Sequence, residues 1–283
     1  MGTLYLVRHG QASFGADDYD VLSPLGRQQS VRLGAYFQYR GVRFEAALTG
    51  TLNRQLQTFA AICEGMDSAL ESSRSAGPPQ ASPTLSDPAV QQSPHNPGTL
   101  PKDTNGRSAG PPQARPAPSG GSALHEVKSV GAHLLWPGLN EYDSAAVIGA
   151  IYPQPLARPD TPELYRHHFR LLKDGLAQWM AGAASPQGMP SYHDFVAGVT
   201  SALEHIRTRY TGNVLLVSSG GPIATAVGQV LGTTAQTTIG LNMRIRNTSV
   251  TEFSFSPRRH QLLTYNTLPH LDAPEHASWV TYA

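Results

Sequence analysis

One short stretch near the start of the chain decides the fold: Thr3-Leu-Tyr-Leu-Val-Arg-His-Gly10. Its first five residues form a continuous apolar run, which is typical of a parallel strand that is buried on both faces. An arginine, a histidine and a glycine follow at once. Because reactive residues collect beyond the carboxyl ends of strands in α/β folds, this stretch predicts a buried strand with chemistry at its end.

Strands and helices are predicted to alternate along the rest of the chain. Ser23 and Pro24 indicate a helix start, because serine caps the first turn and proline needs no N–H there. A second apolar run at 213–217 enters Ser-Ser-Gly-Gly and a helix from Pro222. This order predicts an α/β fold, a three-layer α/β/α sandwich with a mostly parallel sheet. The other predicted elements are strands at 45–48, 249–255 and 261–265 and helices at 51–63, 161–181 and 192–210.

Residues 66–122 differ in composition from both flanks. They hold 11 of the 23 prolines, with many serines, glycines and glutamines, and the octapeptide at 74–81 recurs at 107–114. Such a segment buries too little apolar surface to offset the entropy lost on ordering. We therefore predict a single domain over 1–283, interrupted by a disordered low-complexity insert at 66–122.

Composition excludes several classes of protein. The net charge of +1 and the absence of basic runs argue against a nucleic-acid partner. No stretch has the ~18 consecutive apolar residues that a membrane span needs, and the start does not resemble a signal peptide. The single cysteine, Cys63, is predicted to be a buried thiol. We expect a cytoplasmic protein without a metal site or cofactor.

Three motifs in order resemble the histidine phosphatase superfamily, which includes the cofactor-dependent phosphoglycerate mutases. They are Leu4-Tyr-Leu-Val-Arg-His-Gly-Gln-Ala, Leu22-Ser-Pro-Leu-Gly-Arg-Gln-Gln and Thr51-Leu-Asn-Arg-Gln-Leu-Gln-Thr58. The resemblance is close over 3–62 and looser over 136–270, and it skips the insert. It implies a phosphoglycerate mutase-like fold and phosphoryl transfer through a phosphohistidine.

The resemblance implies that His9 is the nucleophile and that Arg8 and Arg54 bind the phosphoryl group. The chemistry agrees, because a neutral imidazole is a competent nucleophile at pH 7 and a guanidinium fork matches phosphate oxygens. Gly10 is expected to let the backbone approach the phosphate, where its N–H can donate.

A leaving alkoxide needs a proton, so a carboxylic acid is expected to face the phosphate. The segment Leu139-Asn-Glu-Tyr-Asp143 resembles the family's acid segment, which makes Glu141 the predicted acid and Asp143 the alternative. A helix-capping role for Glu141 is the structural alternative. Four further residues occupy family-like positions, Gln11 and Ser13 at the mouth of the site and Asn247 and His270 near the end of the chain.

The sequence departs from the family at its second hallmark, Ser-His-Gly-Gly, because Ser219 occupies the position of the histidine. A hydroxyl can still donate one hydrogen bond, and the Gly220 N–H at the helix start can bind an anion. The potential positive charge is lost, so we expect slow turnover and a gain on Ser219→His.

The sequence alone favours a histidine acid phosphatase-like phosphomonoesterase that acts on a small-molecule phosphomonoester. A phosphate-binding or regulatory domain with weak or no catalysis is the alternative. A phosphoglycerate mutase is less favoured, because a mutase must hold two phosphates and no additional basic cluster is evident.

Overall fold

The computed structural model describes residues 1–13, 20–75, 130–156 and 160–282. In chain order the strands and helices are β1 (Gly2–Arg8), α1 (Pro24–Tyr39), β2 (Phe44–Thr49), α2 (Asn53–Ser75), β3 (Val130–Leu135), α3 (Ser144–Gly149), α4 (Pro162–Met180), α5 (Tyr192–Arg209), β4 (Asn213–Ser218), α6 (Gly220–Leu231), α7 (Ala235–Asn242), β5 (Val250–Ser256) and β6 (Arg259–Thr267).

The six strands form one sheet in the order β3-β2-β4-β1-β5-β6. The first four run parallel, and β5 is antiparallel to both of its neighbours. The prediction of an α/β fold with a mostly parallel sheet is confirmed. Because Arg8 of β1 lies opposite Ser218 of β4, the residues that follow these two strands emerge side by side at the carboxyl edge of the sheet.

Each face of the sheet is covered by helices. On one face Val7 and Val217 pack with Leu33 of α1 and Ile62 of α2. On the other face the neighbouring strand residues, among them Leu6, pack against α4, α5 and α6. Alternate residues of a strand point to opposite faces. Leu4 and Leu6 of β1 are buried on one face and Val7 on the other, while Thr3 and Tyr5 are only partly buried.

Three elements are not foreseen by the sequence: β3, α3 and α7. The strand β3 lies at the edge of the sheet and is largely exposed, so it lacks the apolar run of a central strand. The helices α3 and α7 have only six and eight residues, too few to establish a clear helical period.

The helix α2 continues through Ser75, well beyond the predicted end at residue 63. The first ten residues of the predicted insert, 66–75, are therefore helical, and residues 76–122 lie outside the described residues. The strand β2, which precedes the insert, pairs with β3 and β4, which follow it, so both flanks build one sheet. None of the described helices is long and apolar enough to cross a membrane.

The helices α1 and α2 pack closely through two glycines. A Cβ atom added to Gly34 would overlap the carbonyl oxygen of Ile62, and one added to Gly65 would overlap that of Val31. Because backbone atoms cannot rotate away as a side chain does, only glycine permits this separation of the two helices.

We expect Gly34→Ala and Gly65→Ala each to lower the free energy of unfolding by roughly 1–3 kcal/mol, because an added methyl group overpacks the helix contact. Gly240→Ala in α7 is the matched control, since its Cβ would meet nothing within 4 Å. That change is expected to be neutral or slightly stabilising. Urea denaturation followed by circular dichroism measures all three, and equal stabilities would contradict the proposed close packing.

Candidate active site

The four predicted catalytic residues converge on one cavity of about 570 Å³. Arg8 ends β1 and His9 follows it, Arg54 lies in the first turn of α2, and Glu141 lies in the loop before α3. All four line the cavity. The parallel register brings them together, because β1 and β2 both end at the carboxyl edge of the sheet.

The ring of His9 is held in one tautomer by two neighbours. Its Nδ1 lies 2.8 Å from the carbonyl oxygen of Gly10, which can only accept a hydrogen bond, so Nδ1 carries the proton. The Nε of Arg54 donates to Nε2 at 3.3 Å, so Nε2 carries the lone pair. The backbone N–H of His9 also donates to the carbonyl oxygen of Ser218 at 2.8 Å. The basic nitrogen is therefore Nε2.

The electrostatic surroundings keep this ring neutral. Burial lowers the pKa of His9 well below its ordinary value, and the positive charges of Arg8 and Arg54 lower it further. Protonation would place a third cation beside two guanidinium groups. The lone pair on Nε2 is consequently retained to lower pH than in an ordinary histidine.

Arg54 is oriented by Asp20, a residue to which sequence reasoning assigned no role. The Nη1 of Arg54 donates to Oδ1 of Asp20 at 2.7 Å, and the Asp20 carboxylate also accepts the backbone N–H of Asn53 at 2.8 Å. The carboxylate thus caps α2 and fixes the guanidinium beside His9. No local pattern marks Asp20, because its partners lie more than 30 positions further along the chain.

Arg8 is anchored by backbone carbonyl groups from distant parts of the chain. Its Nη1 donates to the carbonyl oxygens of Ile245, at 2.6 Å, and Tyr282. The sequence predicts that the guanidinium group of Arg8 binds phosphate. In the structure one of its nitrogens, Nη1, already donates to these two carbonyl groups. The side chain still lines the cavity beside His9.

Glu141 lies across the cavity at the start of α6. Its carboxyl oxygens accept the backbone N–H of Gly221 at 3.1 and 3.2 Å, so Glu141 contacts the first turn of α6 and does not cap the next helix in the chain, α3. Burial raises the pKa of the Glu141 carboxyl and outweighs the opposing influence of Arg8 and Arg54. A carboxyl group with a raised pKa is suited to donate a proton.

The alternative acid, Asp143, has a structural role. Its Oδ1 accepts the backbone N–H groups of Ala145 at 2.8 Å and Ala146 at 3.1 Å, which makes it the N-cap of α3. Both contacts use Oδ1 alone, and the side chain also borders the cavity. Glu141 is favoured over Asp143 as the acid because burial raises the pKa of its carboxyl group.

The structure corrects the expected role of Gly10. Its N–H donates to the hydroxyl of Thr58 at 3.0 Å and so is committed within the protein rather than presented to phosphate. A Cβ at this position would overlap the carbonyl oxygen of Gly26 in α1. Gly10 thus lets the loop that carries His9 lie against α1.

Gln11 and Ser13 also lie in this loop but do not line the cavity. The Oε1 of Gln11 accepts the hydroxyl of Ser23 at 2.9 Å, and the N–H of Ser13 donates to the carbonyl oxygen of Val21 at 2.9 Å. Both residues hold the start of α1, and the expectation that they line the mouth is not met.

Ser219 is fully buried beneath the site, and its hydroxyl is occupied by Gln55. The Gln55 side-chain amide donates to Oγ of Ser219 at 2.9 Å and to the carbonyl oxygen of Leu139 at 3.0 Å. Neither Ser219 nor Gly220 lines the cavity. Their predicted contact with the phosphoryl group is therefore not supported, and the N–H used at this helix start belongs to Gly221.

Two residues near the end of the chain donate hydrogen bonds to the backbone of Arg8 and His9. The Nδ2 of Asn247 donates to the carbonyl oxygen of His9 at 3.1 Å, and the N–H of Thr248 donates to that of Arg8 at 3.1 Å. Thr248 has a φ of 53°, a strained conformation for a β-branched residue that typically costs about 1–3 kcal/mol. His270 is buried, and burial lowers the pKa of its imidazole to about 3. Its Nε2 contacts the hydroxyl group of Thr248, so the residue has a structural role.

Two other sequence predictions concern reactive or metal-binding groups. Cys63 is buried, and burial raises the pKa of its thiol to about 12, so the thiol remains protonated. Within the described part of the chain, no three His, Cys, Asp or Glu side chains are grouped so that they could hold a metal ion.

Comparison with protein-family models identifies the family of the chain. The model of the histidine phosphatase superfamily (branch 1) matches residues 4–75 and 161–268, more than half of the chain. The chain belongs to the histidine phosphatase superfamily. No curated protein sequence matched it.

Several solved structures share the fold. YhfR of Bacillus stearothermophilus is 16% identical, with a TM-score of 0.54 over 95% of this chain and 99% of that one. A phosphoserine phosphatase of Entamoeba histolytica in complex with 3-phosphoglyceric acid is 16% identical, with a TM-score of 0.51 over 96% and 100%. A phosphoglycerate mutase of Bacillus anthracis is 13% identical, with a TM-score of 0.51 over 95% and 94%. At these identities the likeness concerns the fold.

The contacts of Ser219 reverse the expectation that Ser219→His alone raises turnover. An imidazole at this buried position would collide with the amide of Gln55, so we expect the single variant to lose roughly 1–3 kcal/mol of stability through overpacking. The double variant Gln55→Ala/Ser219→His should recover that stability. Its turnover should exceed that of Gln55→Ala by roughly 10²-fold, the worth of one preorganised donor.

Thermal melting and phosphatase rates of the four proteins, wild type included, test this prediction. A Ser219→His protein as stable as the wild type would show that Gln55 does not fill the space. A double variant no faster than Gln55→Ala would show that the position lies too far from the phosphoryl group to assist.

Proposed function

We propose that the chain is a phosphomonoester hydrolase that works through a phosphohistidine on His9. One observation carries the proposal: the lone pair on Nε2 of His9 faces Arg54 at the cavity, and a carboxyl group with a raised pKa lies across it. A site that only binds phosphate needs neither a nucleophile nor a proton donor.

The first step transfers the phosphoryl group to the histidine. The lone pair on Nε2 of His9 forms the P–N bond as the P–O bond to the leaving group breaks. The electron pair of the broken bond stays on the leaving oxygen, which takes the proton of Glu141. The alcohol product departs, leaving the phosphohistidine and a Glu141 carboxylate.

The second step restores the enzyme. The Glu141 carboxylate accepts a proton from water as the water oxygen attacks phosphorus. The P–N bond breaks, its electron pair returns to Nε2 of His9, and inorganic phosphate leaves. Glu141 is protonated again, so the cycle consumes one ester and one water and releases one alcohol and one phosphate.

Arg8 and Arg54 supply the positive charge for both steps. Phosphoryl transfer spreads negative charge over three equatorial oxygens, and a positioned guanidinium stabilises it throughout. The anchoring contacts with Asp20 and the carbonyl of Ile245 hold these groups in place before substrate arrives. Removing one preorganised group of this kind typically slows a reaction by about 10²–10³-fold, which corresponds to about 3–4 kcal/mol.

A phosphate-binding protein with weak catalysis is the second candidate. It is favoured by the pair of Gln55 and Ser219, which occupies the position where the superfamily carries its second histidine. The phosphoglycerate mutase alternative is less favoured. A mutase must grip two phosphates, and Arg8 and Arg54 are the only arginines or lysines among the described residues that line the cavity.

We expect His9→Ala to abolish the release of nitrophenol from p-nitrophenyl phosphate, because the nucleophile is removed. The wild type should carry acid-labile phosphate on His9 after rapid quenching, detectable by mass spectrometry. His193→Ala, at an exposed position of α5, is the matched control and should leave the rate unchanged. Phosphate binding by the wild type without any His9-dependent hydrolysis would favour the binding protein instead.

The pH dependence follows from the two shifted groups. Because His9 must be neutral, kcat/KM should fall only at low pH, below the lowered pKa of this ring. Because Glu141 must be protonated, kcat/KM should fall as the pH rises through the raised pKa of the carboxyl. The highest kcat/KM is expected between the lowered pKa of His9 and the raised pKa of Glu141.

The variant Glu141→Gln isolates the alkaline limb of this profile. For an alkyl phosphate the rate should fall by roughly 10²–10⁴-fold, the usual worth of a general acid. The loss should be smaller for p-nitrophenyl phosphate, because nitrophenolate leaves without protonation. Equal losses for both esters would contradict the role of Glu141 as the acid.

A further inference from the structure

The part of the cavity beyond the phosphate-binding groups is largely apolar. The cavity volume of about 570 Å³ is far larger than a phosphate group requires. Its apolar wall comes from five separate parts of the chain and is rich in aromatic rings. The residues that form it are Leu52, Tyr142, Tyr165, Phe169, Met243 and Tyr282.

One face of α4 provides the centre of this wall. Tyr165, Phe169 and Leu172 follow one another at intervals of four and three residues, so they project from the same side of the helix. The rings of Tyr165 and Phe169 lie 5.1 Å apart, and Leu172 is buried in the core beneath them. The wall is therefore built on a packed helix and presents aromatic surface to the cavity.

The charge of the cavity is distributed unevenly. Both guanidinium groups, Arg8 and Arg54, lie at the end that holds His9. The other described lining residues with polar side chains, apart from Glu141 and the tyrosines, are Asp143, Ser144, His168 and Asn242, and burial lowers the pKa of His168, which favours its neutral form. Among the described lining residues, only Arg8 and Arg54 offer a cation to a carboxylate of the leaving group.

We propose that the substrate is a phosphate monoester whose leaving group is an uncharged aromatic or bulky hydrocarbon alcohol. This inference rests on the proposed phosphatase function and names the substrate class of the same site. Moving apolar surface from water onto the aromatic wall stabilises such an ester, whereas phosphoserine or 3-phosphoglycerate would have to desolvate a carboxylate for which the described lining residues offer no cation besides the two phosphate-binding arginines.

Esters of similar chemical reactivity test the proposal. For 2-phenylethyl phosphate, O-phosphoserine and 3-phosphoglycerate the leaving group is an alkoxide in each case, so differences in kcat/KM report recognition. We expect kcat/KM for the phenylethyl ester to be higher by at least roughly tenfold, within the range that apolar pockets provide. Equal values, or a preference for either carboxylate ester, would overturn the inference while leaving the phosphatase function standing.

A variant of the wall gives a second measure. Phe169→Ala should lower kcat/KM for 2-phenylethyl phosphate severalfold and should leave that for ethyl phosphate nearly unchanged, because the short ester does not reach the wall. Tyr39→Ala, which removes an aromatic ring that is 86% exposed at the end of α1, is the matched control and should change neither value. A parallel loss on both esters, or no loss on either, would contradict recognition of the leaving group by the wall.

Binding of stable phosphonates tests the substrate class independently of turnover. We expect the wild type to bind 3-phenylpropylphosphonate at least roughly tenfold more tightly than 2-amino-4-phosphonobutyrate, by calorimetry. Equal affinity, tighter binding of the amino acid analogue, or binding of neither compound would overturn the inference. Selective binding without hydrolysis of any ester would instead sustain the substrate class and defeat the proposed catalysis.

Discussion

A neutral imidazole in contact with one guanidinium group and within the electrostatic influence of a second is central to this structure. The carbonyl of Gly10 accepts a hydrogen bond from one ring nitrogen, and Arg54 donates to the other, so a single tautomer is compatible with both contacts. This arrangement places cations close together in a poorly solvated site. The carboxylate of Asp20 offsets that cost at Arg54, and the backbone carbonyls of Ile245 and Tyr282 hold Arg8.

The same requirement explains the layers behind the site. Gly10 allows the loop to lie against α1, Asn247 holds the carbonyl of His9, and Thr248 adopts a strained conformation to reach the carbonyl of Arg8. Each contact joins segments that are distant in sequence. A strained residue persists only where its surroundings over-determine it, and this position lies directly behind the nucleophile.

Ser219 affects the packing beneath the site. Its small side chain leaves space, and Gln55 fills that space while it links α2, the loop before Glu141 and the start of α6. Arg8 and Arg54 are the only arginines or lysines among the described residues that line the cavity. The aromatic wall therefore provides much of the remaining surface that a substrate can contact.

The class of fold and the strand that carries Arg8 and His9 could be predicted from local patterns, because apolar runs, helix caps and spaced motifs are written in neighbouring residues. The resemblance to the histidine phosphatases proposed Arg54 and Glu141 as partners of His9. The folded chain was needed to show that Asp20 orients Arg54, that Gln55 donates to Ser219, and that Gly10, Gln11 and Ser13 contact other protein groups. Those assignments depend on hydrogen bonds between distant segments, and no local pattern records which donor will find which acceptor once the sheet has formed.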